Sequence, residues 1–149
     1  MMHVRVRSIA ATFAAGLVLA AAGMAAPGGG EPQAQRAANA WQLPPDAAQT
    51  TNPLTVDDTV LAAGKKVFTD KCQKCHGAKG LGDGPDADPE HAEDMDLTNP
   101  KRADRNPDGV VFYKVSNGRK NPKMPSFKDE LSKEQIWTVV SYVQTLRKK

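Results

Sequence analysis

Cys72-Gln73-Lys74-Cys75-His76 places two thiols two residues apart, with an imidazole directly after the second. A thiol can form a thioether, bind a soft metal or pair as a disulfide, and an imidazole nitrogen is a metal ligand or a proton carrier. In this order and spacing the three residues form the attachment pattern of a c-type haem. The two-residue gap sets each sulfur to add to one vinyl group. His76, next to the second thioether, is then held against one face of the iron as the proximal ligand.

Three other chemistries use similar residues. A thioredoxin-like redox pair sits in a chain of alternating strands and helices, which is not the pattern here. A structural zinc needs four ligands, and the chain has two Cys and three His; His3 lies in a segment expected to be removed, and His76 with His91 does not follow finger spacing. A disulfide across two residues would leave His76 without a role. Covalent haem accounts for all three residues, and one haem is expected.

The second chemical feature is Met124-Pro125-Ser126-Phe127. Of the five methionines, Met1, Met2 and Met24 fall near the N-terminus, which leaves Met95 and Met124. A thioether is a weak neutral ligand that favours reduced iron. Pro122 and Pro125 favour an extended loop at this point, off any helical stripe. Met124 is therefore the expected sixth ligand, with Met95 and His91 as the alternatives.

These groups need elements to carry them. Thr55 followed by Asp58 reads as a capping box, and Val56, Val60, Gly64, Val67 and Phe68 recur at helical spacing up to Cys72. Gly64 inside that helix costs about 1 kcal/mol against alanine, which suggests that another backbone passes close. Gly77, Gly80, Gly82 and Gly84 predict turns wrapping the proximal side; a phosphate loop is excluded by the absence of a preceding strand and of a Gly-Lys-Ser/Thr ending. Residues 83–108 carry nine acids against three basic residues and read as a solvated acidic loop, since their order does not fit an EF-hand. Asn106-Pro107 opens a short helix with Val111, Phe112 and Val115, and Gly118 stops it. Ser132 and Gln135 cap a last helix whose apolar face is Ile136, Val139, Val140, Val143 and Leu146. Trp137 and Tyr142 are read as packing residues, with Trp137 also placed as a porphyrin contact.

The N-terminus has a different character. Residues 1–26 read as a secretory signal: Arg5 and Arg7, an uncharged run from Ile9 to Ala22, and the small-x-small site Gly23-Met24-Ala25. The competing reading is an uncleaved anchor, since no charge occurs between Arg7 and Glu31. Residues 27–52, rich in Ala, Gln, Pro and Gly, read as a flexible lead-in whose adhesive features are Trp41 and Pro44-Pro45. The remaining 53–149 form one domain. With 5% aromatic and 40% hydrophobic content its core is thin, and an apolar cofactor would reinforce it.

Gly64-x-x-x-Phe68, Cys72-x-x-Cys75-His76-Gly77, Gly82-Asp83-Gly84-Pro85, Asn117-Gly118, Met124-Pro125-x-Phe127 and Trp137 to Tyr142 together resemble bacterial class I (monohaem) cytochromes c. The resemblance implies an all-α fold in which the first and last helices cross, Gly64 and Phe68 meeting Val139 and Tyr142. It also implies His76 and Met124 as axial ligands. The haem-binding set expected is Cys72, Cys75, His76, Met124, Pro125 and Trp137.

A six-coordinate iron has no open position, so the expected activity is outer-sphere transfer of single electrons in the periplasm, without a small-molecule substrate or nucleic acid. Loss of Arg5 and Arg7 with the signal takes the formal +3 toward neutrality, but residues 114–149 carry nine Lys or Arg against three acids. A basic face near the haem edge is expected to steer acidic protein partners into brief, salt-sensitive docking of a monomer. Membrane association is expected only if the signal stays uncleaved. Two further functional classes fit the same residues: a haem subunit of a dehydrogenase or oxidase complex, docked through 27–52, and a five-coordinate haem sensor or enzyme with Met124 off the iron.

Overall fold

A computed structural model of the protein describes residues 40–147. The expected signal over 1–26 and the first half of the lead-in lie outside the described residues. Among the described residues the fold is all-α, without a strand, and no helix is long and apolar enough to cross a membrane. In chain order the α-helices are α1 (Asp58–Lys71), α2 (Gln73–His76), α3 (Ala92–Met95), α4 (Pro100–Ala103), α5 (Asp108–Asn117) and α6 (Lys133–Thr145).

The core is organised by α1 against α6. A Cβ on Gly64 would collide with the carbonyl oxygen of Thr138 and with Tyr142 Cβ, so the two helices cross at van der Waals contact between backbones. Only glycine leaves room for that approach. One turn later Phe68 is 1% exposed and its ring lies 5.4 Å from that of Tyr142. Val139, Val140 and Ile136 of α6 are fully buried beside it, and α5 closes the layer with Val111 and Val115.

The caps differ in how well the sequence announced them. Ser132 and Gln135 form the expected reciprocal capping box of α6. At α1 the cap is Asp57 in place of Thr55: its Oδ1 accepts from Val60 N at 2.8 Å, and Val56, expected on the helix, is 52% exposed before it. Asp57 competes successfully because a carboxylate is both a good N-cap acceptor and favourable at the positive end of the helix dipole.

The lead-in also differs from expectation over its described part. Ala47 is 2% exposed, its carbonyl and that of Thr50 lie where a side chain on Gly109 would go, and Asn52 Nδ2 donates to Ser141 Oγ at 2.8 Å. Residues 40–52 are thus strapped across α5 and α6. The acidic stretch is similarly more ordered than a solvated loop, being folded into short helices at Pro89–His91, α3 and α4. Asn99 and Asp88 cap two of them through their own side chains.

Candidate cofactor site

α1 ends by handing its last carbonyls to the attachment residues. Cys72 N donates to Phe68 O at 2.9 Å and His76 N to Cys72 O at 3.0 Å, so both thiols and the imidazole sit on one turn and a half of helix beside Phe68. The glycine-rich loop then folds back on that turn: Gly82 N donates to His76 O at 2.8 Å and Asp86 N to Lys74 O at 2.8 Å. Gly77, Gly80 and Gly82 take φ between 73° and 77°, a region other residues avoid, which is what allows so tight a return. Leu97 N donates to Gly80 O at 2.7 Å and carries residues 95–97 to the same place.

That return sets the state of His76. Its Nδ1 lies 2.7 Å from Met95 O. A carbonyl oxygen can only accept, so Nδ1 carries the proton and the Nε2 lone pair is free for a metal. Burial lowers the imidazole pKa, outweighing that hydrogen bond, so the ring is neutral near pH 7. Cys72 and Cys75 are free thiols; burial pushes Cys72 up to about 12 and Cys75 upward as well, so both stay protonated.

Met124 is presented by the end of α5. Gly118 stops that helix with φ 61°, Arg119 and Met124 exchange backbone hydrogen bonds of 2.9 Å each, Ser126 Oγ donates to Ser116 O at 2.7 Å and Phe127 N to Val115 O at 3.1 Å. The loop is therefore pinned on both sides of the methionine.

Cys72, Cys75, His76, Met124 and Pro125 all line one cavity, whose apolar walls are Phe68, Val111, Val115, Phe127, Val139 and Val143. Trp137 does not. Val139 and Val143, four apart, face the cavity from α6, and Trp137 is turned to another side, where its ring stacks on Phe112 at 4.2 Å. Met95 is on the wall, on the side of the imidazole that its own carbonyl orients. His91 is off it, paired with Asp88 at 2.9 Å. Among the described residues no three His, Cys, Asp or Glu side chains gather to hold a bare metal ion.

The far wall is charged. Lys114, Arg102 and Arg119 line it, and the two arginines share Asp94: Arg102 Nη1 and Arg119 Nη2 lie 2.8 and 3.2 Å from its two oxygens. Burial, then the charges of Arg119 and Arg102, bring Lys114 down to about 8. Asp94 is held below its usual range because Arg102 and Arg119 outweigh the burial that pushes it up. Three cations against one carboxylate call for more anionic charge. An apolar slot with two thiols, a neutral imidazole with a free Nε2, a facing thioether and a cation-rich end fits a c-type haem, whose carboxylates would meet the cations.

Sequence reasoning missed the roles of four residues, Met95, Lys114, Arg119 and Trp41. The orienting carbonyl of Met95 has no side-chain signature. Lys114 and Arg119 were counted to a docking face but turn inward; Arg119 is 17% exposed. Trp41 lies on the wall, with Lys114 Nζ 5.1 Å and Arg119 Cζ 4.7 Å from its ring.

The sequence profile of the Cytochrome c family matches residues 61–147. No curated protein sequence matches the chain. Among solved structures, the chain is similar to the Kuenenia stuttgartiensis reducing HAO-like protein complex Kustc0457/Kustc0458, at 30% identity and TM-score 0.52 over 64% of this chain and 47% of that one. It thus spans about half the length of that relative. It is also similar to the KustC0563 c-type cytochrome, at 25% identity and TM-score 0.45 over 57% of this chain and 98% of that one.

Proposed function

Because the chain belongs to the cytochrome c family, we propose that it is an exported, periplasmic electron carrier with one haem, fixed through Cys72 and Cys75 and ligated by His76 and Met124. The haem supplies reversible storage of one electron. The observation that carries the reading is that both thiols, the free Nε2 side of His76 and the Met124 loop open onto the same apolar cavity. The residues divide the work. Met95 O fixes the imidazole tautomer and turns Nε2 inward. Phe68, Val111, Val115, Val139 and Val143 exclude water, which keeps the charge change on oxidation in a low-dielectric setting and raises the weight of the neutral thioether ligand. Pinning by Gly118, Ser126 and Phe127 limits the motion of Met124 between redox states, which keeps outer-sphere transfer fast.

Docking falls to the exposed Lys74 and Lys123 on the cavity rim, near the exposed Asp86, while Lys71, also on the rim, is paired with Glu130 at 2.7 Å. They would steer an acidic partner, and transfer would slow as salt rises. A second reading has a specific observation in its favour: a similar chain stands in a HAO-like protein complex, so this chain would serve as the electron-transfer subunit of such an assembly.

Mass spectrometry and visible spectra of the exported protein test the first reading. The chain should gain the mass of one haem, and the ferric form should show the weak sulfur-to-iron band, lost in Met124→Ala and kept in Met95→Leu. A bare chain mass would sink it. Copurification with a fixed stoichiometry of a large partner would favour the subunit.

A further inference from the structure

The strap of residues 40–52 precedes the matched residues 61–147, yet it is built onto the cavity. Ala47 seats it on Gly109 of α5, and Asn52 ties it to Ser141 of α6. From those moorings it delivers Trp41 to the cation-rich end, where Lys114 Nζ lies 5.1 Å and Arg119 Cζ 4.7 Å from the ring centroid. Neither cation has its own carboxylate: Arg119 shares Asp94 with Arg102, and Lys114 donates to the neutral Asn106 Oδ1 at 2.5 Å. Two adjacent like charges in a half-buried site repel, and an aromatic ring, indole most strongly, attracts both through its quadrupole without consuming their hydrogen-bonding capacity.

We propose that the strap is a cover for the cationic end of the haem cavity, in which Trp41 is the positioning residue that keeps Lys114 and Arg119 turned toward the carboxylates of the bound group and screened from anions in solution. The inference rests on the haem reading. Its consequence is selective access: electrons leave and enter at the exposed lysine rim of Lys74 and Lys123, and Lys114 and Arg119 are withheld from small anionic reductants and from acidic surfaces.

The test uses the full-length exported holoprotein, with haem content checked by mass, reduced by dithionite as the small anionic probe at several ionic strengths. Trp41→Ala should be reduced about fivefold faster at low salt, the factor expected from loss of one exposed cation–π contact. Its rate should also fall more steeply with salt, because uncovered cations attract the anion over a Debye length. Trp41→Phe should restore both the rate and its salt slope toward wild type. Should the alanine variant not mature, Trp41→Leu keeps the bulk without the π face and should show the same rise. Asn52→Ala, which loosens the strap at its other mooring, should lower thermal stability and shift rate and salt slope in the same direction as Trp41→Ala, by less. A haem-bearing Trp41→Ala or Trp41→Leu protein indistinguishable from wild type overturns the cover while leaving the haem reading intact. A wild-type chain exported without haem overturns both.

Discussion

The helix crossing and the cavity mouth are held by different physics. At the crossing, α1 meets α6 with Gly64 under the Thr138 carbonyl and Phe68, Val139 and Val140 sealed around it, none more than 1% exposed. At the mouth, the parts are loops: His76 is set by Met95 O, Met124 by main-chain hydrogen bonds to Arg119, and the far wall by partly exposed charges around Asp94. Close packing has steep distance dependence, so the crossing fixes the angle of the helices and with it the position of Cys72. Hydrogen bonds and screened charges tolerate adjustment, so the mouth can accommodate a bound group without disturbing the crossing.

The steepest contrast should come from Gly64→Ala. The new Cβ meets a backbone oxygen and not the flexible end of a side chain, so α1 or α6 must move. We expect a loss of about 3 kcal/mol, at the upper end of overpacking costs, read as a shift in the denaturant midpoint of the holoprotein. A loss below about 0.5 kcal/mol would mean the crossing is as adjustable as the mouth.

How much of this could be read from the chain follows the same division. The crossing was legible because its signals are residue types at fixed intervals: a glycine inside a helical stripe, Phe68 one turn on, Ser132 with Gln135 at a cap. The attachment turn was legible for the same reason. The mouth was not, because its decisive atoms are backbone carbonyls brought together by tertiary folding, and Met95 O looks like any other in sequence. Trp137 was read as a packing residue that could also touch the porphyrin, because an aromatic on the last helix can face either α5 or the cavity; its stacking on Phe112 bears out the packing reading. The strap was hidden by composition, and with it the target of the adhesive Trp41: Ala, Gln and Pro suggest looseness, and it takes the bare backbone of Gly109 to seat Ala47.

Ser126→Ala probes the mouth at moderate strength. It deletes the 2.7 Å bond to Ser116 O and frees one side of the Met124 loop. The expected cost is about 1 kcal/mol, with displacement of the native ligand by added imidazole about fivefold more favourable. The midpoint of imidazole binding to the ferric protein reads it directly. An equal stability loss without easier displacement would assign Ser126 to the crossing side of the division.

The weakest effect belongs to Asp94, and its pH dependence carries the information. Its carboxyl is held below the ordinary 3.8: burial acts against this, and Arg102, then Arg119, prevail. A depressed carboxylate pKa means the folded state binds fewer protons than the unfolded chain, so the contribution is complete above the ordinary value and is lost as pH falls through the depressed one. Asp94→Asn should therefore lower stability at pH 7 and match wild type once the pH is well below 3.8. The side chains of Arg102, Arg119 and Asp94 are 28%, 17% and 37% exposed. Water and salt screen such pairs, so the pH 7 difference should stay below about 1 kcal/mol and shrink with added salt. Thermal melts of both proteins across pH and ionic strength would show it. A difference that survived high salt would place these charges in a rigid, desolvated setting, and the mouth would then be as fixed as the crossing.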